Sequence, residues 1–521
     1  MNLDDFLHNL HYENDKIMPQ DWVVNWEDAP LPYKLYRGLP TFQLPSDIPL
    51  NLKQKKSSSK PTLQEIGHFL WYTFGLTQFS QTLHFTEQTE VPPTFRRFIP
   101  SGGALYPNEL YIYLKIEDIP QGIYHYDVAH HRLVFLREGN FDTYLWRALG
   151  NRCDISSSFG TVFISTIFWK NFFKYHNFSY RLQGLDTGFV IGQLLEVGKR
   201  FGFETGVYYQ FIDRAINHLL GISELNESVY AVIPLSIDPL MNWFNNNDVE
   251  EPSSATQLCT ELISLEQRHC IRSQKNKEYP LLIKMNEACM IDSFPSLQQI
   301  EKETNEGSSS SLIFLPRVNK LSYDFSSACR NRYSPGMDFM LEQINQNKLS
   351  ILFSEIVTTF SYRNDLDESF QKPPFRISLY SCFYNVEGIT NGAFCYDSSI
   401  HALKTIQYGD FRSRLQYGLF TELVNMSQIP LSFNVVGRKD HYQSAYGCRG
   451  YRIQQMEAGI LSQHLLLAAS ALNMGGHPLL GFDVTSYDDL YKMNEKGKTS
   501  LLQIPIGCFR PHPRLQGSLH N

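Results

Sequence analysis

Four short segments of the chain carry residue types that can do chemistry. The first is Arg96-Arg97-Phe98-Ile99-Pro100-Ser101-Gly102-Gly103, followed by ALYPNELYIYL. A proline and two glycines ahead of a strand make a rigid loop with exposed backbone N–H groups, suited to a planar or anionic ligand, although an ordinary tight turn has the same composition. The second is Arg330-Asn331-Arg332-Tyr333-Ser334, between DFSSAC and PGMDFMLEQI. Two guanidiniums and a hydroxyl so close together, ahead of an expected helix, suit a phosphate through charge-assisted bonds; a solvated arginine pair is the plainer alternative. The third is Lys174-Tyr175 in FWKNFFKYHNFSYR. A lysine beside a tyrosine can lower the phenol by charge proximity and give a general acid or base, or it can be a surface lysine beside a packed ring. The fourth is Pro478-Leu479-Leu480-Gly481-Phe482-Asp483, where glycine lets the backbone approach a ring system, or simply joins a helix to a strand. No HExxH, GxSxG, GxGxxG or Walker loop occurs, the histidines lack metal-ligand spacing, and His130-His131 read as surface residues, so no metal site is expected.

The elements that must position these segments repeat. Residues 117–133, EDIPQGIYHYDVAHHRL, match residues 387–403, EGITNGAFCYDSSIHAL, at Glu117/Glu387, Ile119/Ile389, Gly122/Gly392, Tyr126/Tyr396, Asp127/Asp397, His131/His401 and Leu133/Leu403. Residues 174–195 and 445–466 match next, in the same order and at nearly the same offset, through Tyr180/Tyr451, Arg181/Arg452, Gln183/Gln454, Gly188/Gly459 and others. Two segments sharing one offset indicate duplication. The halves are expected at 1–245 and 311–521. Between them, 246–310 is a linker of EEPSSAT and GSSSS composition around a short helix, CTELISLEQRHCIRS. LYIYLKI and SLLQIPIG read as strands and GIYHYD as part of a hairpin. Residues 452–473 read as a long central helix stopped by Gly475-Gly476. Helices around an antiparallel or mixed sheet make an α+β fold.

Composition excludes whole classes. A net charge of −7 offers no basic field for nucleic acid, and the cluster Lys53, Lys55, Lys56, Lys60 with Ser57 to Ser59 reads as a solvated loop. No stretch reaches the ~20 apolar residues of a membrane helix. The acidic MNLDDFLHNLHYEND is no targeting peptide, and nine cysteines without a CxxC pair fit a reduced, cytoplasmic protein.

Taken in order, PSGGALYP, GxYxYD and KYxxxxYR resemble the SagB/McbC-type branch of the FMN-dependent nitroreductase superfamily, the dehydrogenases of azole-containing peptide biosynthesis. YGCRGYRIQQMEAGILSQHLLLAASALNMGGHPLLGFD with LYKMNEKGKTSLLQIPIG is similar to the closing half of the same superfamily. The resemblance implies an α+β fold and FMN at a subunit interface. A chain holding two tandem nitroreductase-like domains would then form an intramolecular pseudo-dimer. It implies one composite site, in which Arg330, Arg332 and Ser334 grip the ribityl phosphate and the Leu480-Gly481 backbone lies near the flavin N5 edge. The first half lends Pro100, Ser101, Gly102 and Gly103, and Arg510 or Arg514 adds a basic tail. The sequence departs from the family in placing Gly336 where a third basic residue is usual, and Leu480 where many nitroreductases have glutamate. KQKKSSSKP replaces the phosphate element in the first half and QKPPFRISLY replaces PSGG in the second, so the other site is expected to be degenerate.

Lys174-Tyr175 matches the pair that peptide-azoline dehydrogenases use, whereas the second half has Ala445-Tyr446. The resemblance implies that Tyr175, its pKa lowered by Lys174, removes a ring proton from a thiazoline or oxazoline while hydride passes to the flavin, dioxygen being the final acceptor. It implies as partners an azoline-containing precursor peptide and a cyclodehydratase complex of bacteriocin maturation, with no nucleic acid or membrane, and a monomeric pseudo-dimer or a further homodimer. The competing readings are an NAD(P)H-dependent flavin reductase or nitroreductase on small molecules, and a flavin-less scaffold of a peptide-modifying complex.

Overall fold

The computed structural model describes the whole chain except residues 53–58, 83–93, 245–252, 267, 275–277, 295–310, 361, 368–375, 512–513 and 519–521. Most of the basic cluster (Lys53, Lys55, Lys56 with Ser57 and Ser58) lies outside the described residues, as does most of the loop-rich linker composition.

Each half is built on an antiparallel sheet of the same order. In the first, Thr41–Gln43, Arg132–Glu138, Gly122–Asp127, Asn108–Leu114, Gly160–Ile167, Glu227–Ser236 and Glu204–Thr205 follow one another across the sheet. In the second, Leu312–Phe314, Ala402–Tyr408, Gly392–Asp397, Ser378–Phe383, Leu431–Arg438 and Lys498–Phe509 do the same. The inner strands are covered on both faces, which is why Asn108–Leu114 is buried at every position and its sequence runs apolar rather than alternating. A smaller sheet joins the halves: Arg514–Ser518 pairs with Gln78–Thr82, which pairs with Thr94–Arg96.

The core between the sheets is a crossing of two 23-residue helices, Ser179–Phe201 and Arg449–Ala471, each buried along almost its whole length. The repeated residues explain the crossing. A methyl on Gly188 would lie 2.8 Å from Gly459 Cα and would run into Met456 O; one on Gly459 would meet Gly188 Cα at 2.8 Å. Only glycine permits this backbone approach. Tyr180 and Tyr451, also paired in the repeat, stack across it at 6.2 Å.

The other repeat is turn chemistry. Tyr126 bonds His131 Nδ1 at 2.9 Å and Tyr396 bonds His401 Nδ1 at 2.8 Å, with Asp127 and Asp397 accepting turn amides. His131 and His401 have φ of 46° and 52°. His131 is therefore buried, 2% exposed, rather than a surface residue, because its imidazole ties the hairpin shut.

Three further expectations are corrected. The long helix ends at Ala471, and Asn473 rather than glycine takes the left-handed conformation (φ 60°). Gly475–Gly476 instead pairs with the last long strand. The Arg330–Ser334 segment closes a helix, Phe325–Asn331, with Arg330 in its last turn and Arg332 as its C-cap, instead of preceding one, and Pro335 and Gly336 separate it from the strand Phe339–Met340. Among its described residues the linker carries two helices, Ala255–Glu261 and Pro280–Cys289, and most of CTELISLEQRHCIRS is not helical. Among the described residues no helix is long and apolar enough to cross a membrane.

Candidate functional site

The Pro100–Gly103 loop leaves the first half's edge and turns tightly through Gly102–Ala104, with Gly103 at φ 63°. Its anchor is Asp186, on the first long helix. Ser101 Oγ donates to Asp186 Oδ2 at 2.7 Å, Gly102 N to Oδ1 at 3.3 Å, and Ser101 Oγ accepts from Tyr106 N at 2.9 Å. Burial raises the Asp186 carboxyl to about 7. Asp186 was not picked out by the sequence reading; its only signal was its place two residues before Gly188, matched by Glu457 before Gly459.

Lys174 and Tyr175 close the helix Trp169–Tyr175. That helix is fixed one turn earlier by Lys170, 3% exposed, which donates to Glu109 Oε1 at 2.6 Å and to Tyr106 O at 3.2 Å. The pair reaches the loop. A methyl placed on Gly103 would sit 2.5 Å from Tyr175 Oη and 2.8 Å from Lys174 Nζ. Lys174 Nζ also lies over the rings of Trp26 and Tyr175, at 5.5 and 5.1 Å from their centroids. The expected lowering of the Tyr175 phenol is overturned. Burial pushes it up to about 12, helped by the Asp186 charge, while burial pulls the Lys174 ammonium down. The half-buried setting disfavours both charged forms more than the pair favours them.

From the second half, Arg332 reaches across to this loop: its Nε donates to Phe98 O at 2.7 Å and its Nη1 to Ser334 Oγ at 3.4 Å. Burial lowers its guanidinium to about 10, and among the described residues no carboxylate pairs with it. Glycines bring this segment in: Gly476 N donates to Tyr333 O at 3.2 Å, and a side chain on Gly475 would strike Pro335. Arg330 turns elsewhere, donating to Leu50 O at 2.9 Å and Ser327 Oγ at 3.2 Å. Arg510 is exposed and its amide donates to Asp338 O at 2.9 Å; it follows Phe509, whose ring meets Tyr333 at 5.2 Å. Arg514 begins the strand that pairs with Thr82, and its side chain lies outside the described residues.

The turn after the second long helix pairs through Leu479 N with Gln503 O at 2.7 Å. Among the described residues the amides of Leu480 and Gly481 donate to no protein group. Nothing in the packing demands glycine at 481, since an added methyl would find only Phe420, at 3.8 Å. Phe482 lies 6.0 Å from the Arg181 guanidinium, and Leu182 of the same helix abuts Gly102, so the turn and the loop flank one end of the first long helix. Unpartnered amides, an arginine without a carboxylate and an open glycine loop suit a planar anionic group such as FMN. Among the described residues no group of side chains could hold a metal ion.

The equivalent place in the other half is filled. Tyr209 and Gln210 stand where Leu480 and Gly481 do, and their amides donate to Asp365 Oδ1 and Oδ2, both at 2.9 Å. Asp365 is paired in turn with Arg152 at 3.1 Å. Arg376, just past the replaced PSGG position, binds Glu457 through Nε and Nη2 and also Asp367. Asp365, Arg376 and Glu457 escaped the sequence reading, because no local pattern marks a side chain as a filler.

No family model matches the chain. It is 26% identical over 212 residues to trifolitoxin-processing protein TfxB of Rhizobium leguminosarum bv. trifolii, covering 38% of this chain and 56% of the relative, so it spans about half that relative's length. A crystal structure from Anabaena variabilis assigned to the nitroreductases superposes over 98% of this chain and 99% of its own, with a TM-score of 0.75 at 20% identity. The E. coli microcin synthetase McbBCD complex, bound to truncated pro-MccB17, aligns over 37% of this chain and 69% of its own at 21% identity, with a TM-score of 0.28. The chain thus has a tandem nitroreductase-like fold, an intramolecular pseudo-dimer, and is similar over part of its length to a trifolitoxin-processing protein.

Proposed function

We propose that the chain is an FMN-dependent dehydrogenase that oxidises thiazoline or oxazoline rings of a ribosomally made peptide to azoles. The observation that carries this is the convergence of Lys174 Nζ and Tyr175 Oη on Gly103, in the loop that faces Arg332 of the other half. Homology to a toxin-processing protein supports a peptide substrate and a partner that supplies it.

Arg332 and Ser334 would hold the phosphate, the free amides of Leu480 and Gly481 the acceptor edge of the flavin, and Pro100–Gly103 its opposite side. When bound, FMN supplies the two-electron acceptor that ring oxidation requires. The chain's own work is to orient the ring and manage one proton. Burial pulls the Lys174 ammonium down, and its neutral amine would take the acidic proton beside the ring C=N. Tyr175, held as a phenol, donates a hydrogen bond to the ring heteroatom or nitrogen. Trp26 and the Tyr175 ring shield Lys174 from water and stabilise its ammonium form once it is charged.

The test is incubation of the FMN-loaded protein with an azoline-containing peptide under air. Mass spectrometry is expected to show loss of two hydrogens per ring. An unchanged peptide, with rapid NADPH-driven reduction of nitroaromatics, would establish the small-molecule reductase in its place.

A further inference from the structure

The two long helices carry an acid at the same position, and among the described residues only one of the two acids has a counter-ion. Glu457 is gripped by Arg376 at 2.5 Å. Asp186 is 2% exposed, and among the described residues no cation pairs with it. Its oxygens are spent on Ser101 Oγ and Gly102 N. An uncompensated buried carboxyl opposes folding unless something is gained from it. Its partner Gly102 adjoins Gly103, where Lys174 Nζ and Tyr175 Oη meet.

We propose that Asp186 is the positioning residue of this site: by gripping Ser101 and Gly102 it fixes Gly103 as the floor beneath Lys174 and Tyr175 and sets its own carboxyl near the Tyr175 phenol. The inference rests on the proposed function only for the identity of the reaction. The hydrogen-bonding and charge roles belong to the chain itself.

The arrangement supports this division of labour. The titratable groups at the loop include Lys174 and Tyr175 from the short helix, Asp186 from the first long helix and Arg332 from the second half, while Ser101 and Gly102 contribute a hydroxyl and an amide. A carboxylate near a phenol makes phenolate harder to form, and the Asp186 charge raises Tyr175 accordingly. Burial alone sets the Lys174 shift, and this residue becomes an ammonium by accepting a proton from the ring carbon; no other bond is formed or broken by it.

The experiment uses the FMN-loaded protein with a fluorinated tyrosine incorporated at position 175, whose ¹⁹F shift reports phenol ionisation and needs no substrate. Asp186→Asn is expected to lower the midpoint of that titration by about one pH unit, the effect of removing a nearby like charge. Turnover of azoline peptide should fall at least about tenfold with KM little changed, as when pre-organised geometry is lost. Asp186→Glu should restore the midpoint and part of kcat. A midpoint unchanged in Asp186→Asn overturns the proposal, whatever the turnover. If the asparagine variant does not fold, Asp186→Leu, which removes an unpaired carboxyl without adding donors, is read in the same way. A shifted midpoint in a protein that never oxidises azolines overturns the proposed reaction and leaves the role of Asp186 standing.

Discussion

The two halves share a sheet order and a helix crossing but treat one location in opposite ways. In one, among the described residues, the turn Leu480-Gly481 leaves its amides unpartnered and Arg332 has no carboxylate. In the other, Asp365 occupies the turn amides of Tyr209 and Gln210, and Arg376 neutralises Glu457. The difference teaches that a binding site can be retired without touching its scaffold. A few side chains of the protein supply the acceptors and charges that a ligand would have supplied.

The sharpest way to test this contrast is at the Lys-Tyr pair. Lys174→Ala is expected to retain bound flavin, seen as visible absorbance, and to lose about 10²–10⁴-fold in azoline oxidation. Ala445→Lys in the other half should confer nothing. Turnover retained by Lys174→Ala would remove that lysine from the reaction. Next comes stability. Glu457→Ala leaves Arg376 buried without its main partner and should cost about 3–5 kcal/mol in denaturant unfolding. Asp186→Asn, lacking any counter-ion to strand, should cost far less, and equal losses would erase the distinction between the two acids.

Flavin binding distinguishes the halves more gently. Arg332→Ala should weaken FMN by about 10–100-fold, as expected for loss of a charged hydrogen-bonding group. Parent protein should saturate at one FMN per chain; two would show that the Asp365 and Arg376 contacts do not close the second place.

The remaining effect is pH-dependent. Asp186 has a folded-state pKa of about 7, above that of an unfolded aspartate at 3.8. The folded protein therefore holds the extra proton between those values. The stability this contributes is fully present below about 4 and is lost as pH rises through 7. Asp186→Asn should flatten that slope in urea titrations.

Much of this was written locally. The duplication, the α+β class, the hairpin GIYHYD and the long buried helix follow from spacing and side-chain type, which act through neighbouring residues. Gly188 and Gly459 were visible as a matched pair, but their reason, a backbone crossing, needed the helix in the other half. The meeting of Lys174, Tyr175 and Gly103 was expected only in outline, since it depends on Lys170 and Glu109 fixing a helix from a strand distant in sequence. The sign of the Tyr175 shift went the other way because burial, not the adjacent lysine, dominates. Arg330 read as equal to Arg332, yet the helix Phe325–Asn331 turns it toward Leu50.

The covalent connection between the halves has a consequence for how such a protein can change. In a twofold dimer each substitution appears twice, so a residue that fills one site fills both. Here Asp365 and Arg376 alter one place alone. The partner half is held at an effective concentration set by the linker, reinforced by the strand Arg514–Ser518 lying in the other half's small sheet. Dilution should not empty such a site by separating its two sides. Symmetry, once a requirement for assembly, has become only a record of it.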